Sequence, residues 1–195
     1  LQLNWLRELE NDLIPAEPGF FALRPEKENA IRAKLPENLR RSLRFVLSTE
    51  VSCAPPPKRE IEGIHHLLYF PSFESAHAFR DRLAPHGDLS EGRPTLNLHS
   101  LTLLEAVKEH HEDCHFAPAH LLNPWFSALG TVGGGYALEE LFDDKIPLLL
   151  GVETGLTSTP PMYRRIPSLD TLALFSCSDA HSLDNIGREC TILEI

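Results

Sequence analysis

A single α/β domain of the barrel type is the fold this sequence predicts, and three observations predict it. Short hydrophobic runs of strand length alternate with segments of helical periodicity. Most of those runs carry an ionisable residue at one end, and an α/β barrel collects its reactive groups on the rim of its strands. The 195 residues, 42% apolar and 24% charged, suffice for one filled core and show no internal repeat or low-complexity tract. The span 1–195 is read as one domain.

The elements follow in order. Leu3, Leu6, Leu9 and Leu13 lie at helical spacing and predict an amphipathic helix over 2–13. Pro15, Pro18, Pro25 and Pro36 break residues 14–41 into short pieces. Leu43 to Val51 reads as a strand carrying Glu50 near its end, and CAPPPKREIEG after it as a proline-rich surface loop. Ile64 to Phe70 is a second strand, entered through His65. Only about a dozen residues separate Glu50 from His65, too few for a helical crossover, so these two strands are expected to pair antiparallel. Glu50, ending one strand, and His65, starting the next, then share one rim.

Ser72 is the expected N-cap of a helix reaching Leu83, and Ser100 that of a helix over LTLLEAVKEHH. Asp113 to Ala119 reads as a short strand ending on His120. The glycine-rich stretch Gly130–Gly135 precedes a short helix, ALEELF. Pro147 to Val152 reads as a strand ending on Glu153, Leu172 to Ser176 as another before Ser178-Asp179-Ala180-His181, and Cys190 to Ile195 as a last strand.

Bulk properties narrow the function. A net charge of −10 argues against a broad basic nucleic-acid face, although bound cations or a partner domain can supply the missing positive charge. No run of about 18 apolar residues exists to span a membrane, and no signal-peptide pattern opens the chain. Cys53, Cys114, Cys177 and Cys190 form no CxxC pair; free thiols in a reducing, cytoplasmic compartment are expected. The first residue is Leu rather than Met, and the natural N-terminus is expected upstream.

Five residues are placed alike at strand edges: Glu50, His65, His120, Asp179 and His181. Imidazole and carboxylate suit zinc, manganese or iron, and a set without thiolates fits a hydrolytic centre that leaves positions open for water and phosphate. Asp179 and His181 are two apart on an extended segment and can point the same way. His110, His111, Asp113 and His115 look like a second cluster but sit where a helix runs into a loop, so an exposed polar turn is expected. GTVGGGY lacks the GK[ST] ending of a P-loop, and no GxSxG elbow is present. Arg164, Arg165 and Arg188 are candidates for gripping phosphate.

These residues fall in a series of motifs. FVLSTEVS, IHHLLYFPSFE, GRPTLNL, FAPAHLLNPWFSALG, GVETGLTSTPPMYRR and LFSCSDAHSLDNIGRE occur in the order found in endonuclease Q-like proteins of the PHP (polymerase and histidinol phosphatase) family, which the chain resembles from about Trp5 to Glu189. The resemblance implies a distorted (β/α)7 barrel with a multinuclear centre of divalent metal ions (Zn, Mn, Mg or Fe). By motif, Glu50, His65, His120, Asp179 and His181 resemble metal ligands, with Glu50 the bridging carboxylate, and Glu50 and Asp179 resemble the catalytic carboxylates. Glu153 matches the ETGL glutamate and is placed near the site. The HxH motif that opens a PHP domain would lie upstream of Leu1, and the family's cysteine-rich zinc segment downstream, so the barrel is expected to be incomplete at the N-terminus and the isolated 195 residues weakly active or inactive. SCSDAH stands here where the family has SNSDAH.

The implied activity is metal-dependent nicking of DNA on the 5′ side of deaminated or abasic nucleotides, with DNA as partner. In that activity Arg164 or Arg188 holds the phosphate, and Trp125 and Phe126 either pack in the core, the role expected first, or line a pocket for a base lifted from the stack. Two other readings stay open at this level: a PHP phosphatase of a small phosphate ester, which the acidic charge favours, and a non-catalytic domain that kept the barrel and lost the metals.

Overall fold

The computed structural model describes residues 2–54, 63–131 and 136–192. The helix expected at the start is present as α1 (Leu3–Asp12), with Gln2 as its N-cap: Gln2 Oε1 accepts from Trp5 N–H at 2.8 Å. The proline-broken stretch holds more order than the sequence suggests. A hairpin of β1 (Leu13–Pro15) and β2 (Phe21–Leu23) turns at Gly19, whose φ of +76° suits glycine. It is followed by α2 (Pro25–Arg32), with proline at its first turn.

The central sheet contains β3 (Leu47–Cys53), β4 (Ile64–Phe70), β5 (Thr95–Leu96) and β6 (His115–Pro118) in the order β5-β3-β4-β6. β3 and β4 are antiparallel, as the short connection requires, with Ser52 opposite His65 and Glu50 opposite Leu67. Glu50 and His65 therefore lie on one face as diagonal neighbours. β3 begins four residues later than the sequence predicts, because Phe45 is held apart in an isolated bridge to Phe21 of the hairpin.

Helices α3 (Phe73–Leu83) and α4 (Ser100–His110) bury Phe79 and Leu83, and Leu103, Leu104 and Val107, in the core. Ser72 caps α3 as expected, accepting from Ser75 N–H. Ser100 is not the cap of α4: His99 holds that place, and the buried Ser100 hydroxyl is 2.8 Å from His66 Nε2.

The C-terminal half departs furthest from expectation. After α5 (Leu138–Phe142), residues Asp143–Leu148 form 3-10 helix where Pro147 to Val152 reads as a strand; Pro147 cannot donate to a ladder. The strand that does form, β7 (Val152–Glu153), pairs in parallel with β8 (Leu174–Phe175), and α6 (Pro160–Tyr163) lies between them. Leu150 N–H bonds Phe116 O and Leu121 N–H bonds Glu153 O, which fastens this pair beside β6. Residues 190–192 are not strand, and the rest of the predicted last strand (193–195) lies outside the described residues, as do 55–62 of the proline-rich loop and 132–135 of the glycine-rich stretch.

The architecture is mixed α/β. Among the described residues the strands form sheets of two, four and two members, none closed on itself, where the sequence reading expected a seven-stranded barrel. No described helix is long and apolar enough to cross a membrane.

Candidate metal centre

Three side chains meet at one edge of the central sheet. Glu50 Oε1 lies 2.7 Å from His65 Nδ1 and 3.7 Å from His120 Nε2, and the two ring nitrogens are 3.2 Å apart. Each residue offers one ligand atom, and all three atoms lie within 4.8 Å of one another. His65 and His120 are buried and Glu50 is half-buried.

Local backbone geometry brings His120 in. The Ala119 N–H bonds His65 O at 3.1 Å, which extends the β4–β6 ladder one step, and His120 then turns out of the strand with φ +31°. A left-handed backbone at a non-glycine residue is strained and persists only where its surroundings hold it. Here Glu153 holds it: Glu153 Oε2 accepts from His120 N–H at 2.5 Å. Tyr163, fully buried, sets Glu153 in turn, donating toward Glu153 O and Thr154 O, both at 3.0 Å. Gly155, at φ +65°, leaves room for His120: a methyl there would sit 2.6 Å from His120 Cβ.

The electrostatics are those of a coupled cluster. Burial works against the charge on Glu50, but the His120 and His65 imidazoles outweigh it and hold the carboxyl well below the usual carboxylate range. Burial pushes His65 down, aided by Arg93 and His120 and opposed by Glu50. Burial also disfavours charge on His120, yet Glu50, Glu153 and Asp179 together carry its pKa above the ordinary value. Burial raises Glu153, and the Asp179 charge adds to it against the bond from His120. An ionised carboxylate, a neutral imidazole and further buried acceptors make a donor set suited to a divalent cation. Among the described residues, polar atoms without a hydrogen-bond partner point the same way: His120 Nδ1 and Glu153 Oε1 are buried and unsatisfied. The residues present fit a metal ion.

The other expected residues are placed less uniformly. Asp179, with φ +46°, is near enough for its charge to act on His120 and Glu153. His181 has a side chain 73% exposed, bonds the Asp179 carbonyl through Nδ1 at 3.0 Å, and stands outside the three-residue group. Glu153 is 2% exposed and lies behind His120 rather than at an open surface. Arg188 fastens the SDAH segment by donating to Ser178 O (2.7 Å) and Asp179 O (2.9 Å). Arg164 is engaged with the carbonyls of Leu169 and Asp170. Trp125 is 53% exposed, whereas Phe126 stacks on His65 with ring centres 4.8 Å apart and planes 11° from parallel. Of the second histidine cluster, His111 and Asp113 lie in the expected exposed turn, whereas His110 is half-buried at the end of α4, 3.0 Å from Ser75 O, and His115 is half-buried at the start of β6.

Sequence reasoning did not single out Arg93, Tyr163 or Gly155. Arg93 Nη1 is 3.8 Å from Glu50 Oε1, and its guanidinium carbon is 5.9 Å from the centre of the Phe126 ring. The available signal was its place in GRPT beside a strand edge.

Fold and site together define a mixed α/β domain with a buried histidine–histidine–glutamate cluster able to hold metal. Comparison then places it among particular proteins. Over 96% of its length the chain is similar to the lesion-specific endonuclease PfuEndoQ of Pyrococcus furiosus, with a TM-score of 0.74 and 28% identity, covering 40% of that protein. It is likewise similar, over 93% of its length and at 27% identity, to endonuclease Q in complex with a 27-mer duplex carrying an abasic lesion at the active site (TM-score 0.70, 38% of that chain covered). An uncharacterized protein of Bacillus subtilis, YqxK, is 38% identical over 74 residues, 38% of this chain and 18% of that protein. The chain thus spans well under half the length of the proteins it matches. No family model matches it.

Proposed function

We propose that the chain is part of a metal-dependent phosphodiesterase of the PHP type that nicks DNA on the 5′ side of deaminated or abasic nucleotides. One observation carries the reading: the Glu50–His65–His120 cluster lies in a chain that is similar, over 96% of its length, to a lesion-specific endonuclease. The abasic duplex in the second similar structure supports DNA as substrate. The antiparallel β3–β4 pair and the parallel β7–β8 pair are read as parts of a distorted (β/α)7 barrel.

Glu50, His65 and His120 would hold the first divalent ion, with Asp179 and His181 completing the centre (Zn, Mn, Mg or Fe). Such ions lower the pKa of a bound water and neutralise charge that builds on the phosphate. The chain's own residues do the rest. Glu50 stays ionised, so it binds a cation without first losing a proton. Glu153 and Tyr163 fix the backbone of His120, and Arg188 fixes Asp179. In this reading Glu50 and Asp179 would be the carboxylates that take the proton of the attacking water. Phe126 covers one face of His65 and excludes water from it, while the exposed Trp125 beside it offers a ring to an unstacked base.

The test joins metal analysis to a nicking assay. Elemental analysis by mass spectrometry of the purified protein is expected to find bound divalent metal that Glu50→Ala loses. Uracil-containing and abasic duplexes should be nicked in preference to undamaged duplex. Turnover of p-nitrophenyl phosphate without cleavage of damaged DNA would replace this reading with that of a small-ester phosphatase.

A further inference from the structure

We infer that Arg93 grips the non-bridging oxygen of the substrate phosphate at this centre, an assignment that rests on the phosphodiesterase reading above. The loop that carries it is fixed. Ser52 N–H bonds Pro94 O at 2.9 Å, Ser52 pairs with Thr95 across β3 and β5, and Gly92 packs so closely against Trp5 that a methyl there would meet the indole at 2.8 Å. Pro94 also restricts the Arg93 backbone to extended conformations. The guanidinium carbon is 5.9 Å from the centre of the Phe126 ring, and Phe126 is stacked on His65, so the three groups gather at the edge of the cluster.

Among the described residues, Arg93 donates no hydrogen bond. Its side chain is 43% exposed, and its approach to Glu50, at 3.8 Å, is too long for a hydrogen bond. Arg164 and Arg188, two of the three arginines the sequence nominates, donate to backbone carbonyls. A fixed positive charge beside a cation site opposes metal binding unless an anion shares the space. A phosphate oxygen resolves that conflict, because it accepts from the guanidinium fork while facing the metal. In a chain of net charge −10, this cation is also a local attraction for a polyanion that the rest of the surface repels.

The experiment compares Arg93→Gln and Arg93→Lys with the natural protein, all loaded with metal, by calorimetric titration of inorganic phosphate and by elemental analysis. Arg93→Gln is expected to weaken phosphate binding at least tenfold while metal content stays unchanged. Arg93→Lys, which keeps the charge and loses the fork, should recover part of it. Equal phosphate affinity in Arg93→Gln, parallel loss of metal, or absence of phosphate binding in the natural protein would each overturn the inference. Nicking of damaged DNA is read separately. Arg93-dependent phosphate binding without nicking defeats the nuclease reading alone, and nicking with no effect of Arg93→Gln defeats this inference alone.

Discussion

Replacing Gly155 by alanine tests whether the close approach of the ETGL turn to His120 builds the metal centre. Two costs add. Gly155 has φ +65°, where a side chain costs roughly 1–2 kcal/mol. The added methyl would also lie 2.6 Å from His120 Cβ and 3.0 Å from His120 Cα, roughly an ångström inside normal carbon–carbon contact. Those atoms are anchored to the main chain, and the His120 N–H is held by Glu153, so neither can swing aside. Overpacking of a filled site adds about 1–3 kcal/mol, giving about 2–5 kcal/mol in all. His120 Nε2 is 3.2 Å from His65 Nδ1, and any shift of its backbone disturbs that spacing. Urea unfolding followed by circular dichroism should show the lowered midpoint, and elemental analysis should show reduced metal. Gly187→Ala is the control: its φ is +80° but no atom lies within 4 Å of the added methyl, so it carries only the conformational cost. Equal losses in the two variants, or an effect of Gly155→Ala below about 0.5 kcal/mol, would refute the packing argument.

Two further predictions concern residues behind the cluster. Tyr163→Phe removes a buried hydroxyl that serves Glu153 O, Thr154 O, Ser158 Oγ and Leu122 N, and should cost about 1–3 kcal/mol in urea unfolding; an unchanged midpoint would show that these contacts do not hold the ETGL turn. Burial pushes the His66 ring down to about 3 from an ordinary 6.5, so the unfolded chain takes up its proton first and stability is lost as pH falls from about 6.5 toward 3. Metal-free His66→Gln should therefore lose less stability across that window than metal-free natural protein, and parallel pH curves would refute the assignment.

How much was legible in the sequence follows from how far each feature reaches along the chain. The Glu50–His65 pairing could be read because the connection is short: a dozen residues cannot cross over, so antiparallel strands and a shared rim follow. α1, α3 and α4 were visible because apolar spacing over three turns is a local signal. The hairpin β1–β2 was hidden because its strands are three residues long and exist through pairing, with Phe21 also bridging Phe45. The 3-10 turn over Asp143–Leu148 was misread because an apolar run with a proline satisfies strand composition without satisfying strand hydrogen bonding.

The site divides along the same line. Residue types at strand edges selected Glu50, His65, His120, Asp179 and His181 alike, and only the first three meet in one group. Which arginine stands beside them was decided only in three dimensions. Arg164, Arg188 and Arg93 are equivalent as letters, and backbone carbonyls from turns close in sequence claim the first two while the sheet edge delivers the third to Glu50. By itself the sequence determined the local periodicities and the chemistry of the ligands. The tertiary structure determined their convergence, because the left-handed turn at His120 and the gap left by Gly155 are set by contacts across more than thirty residues of chain, which no local pattern encodes.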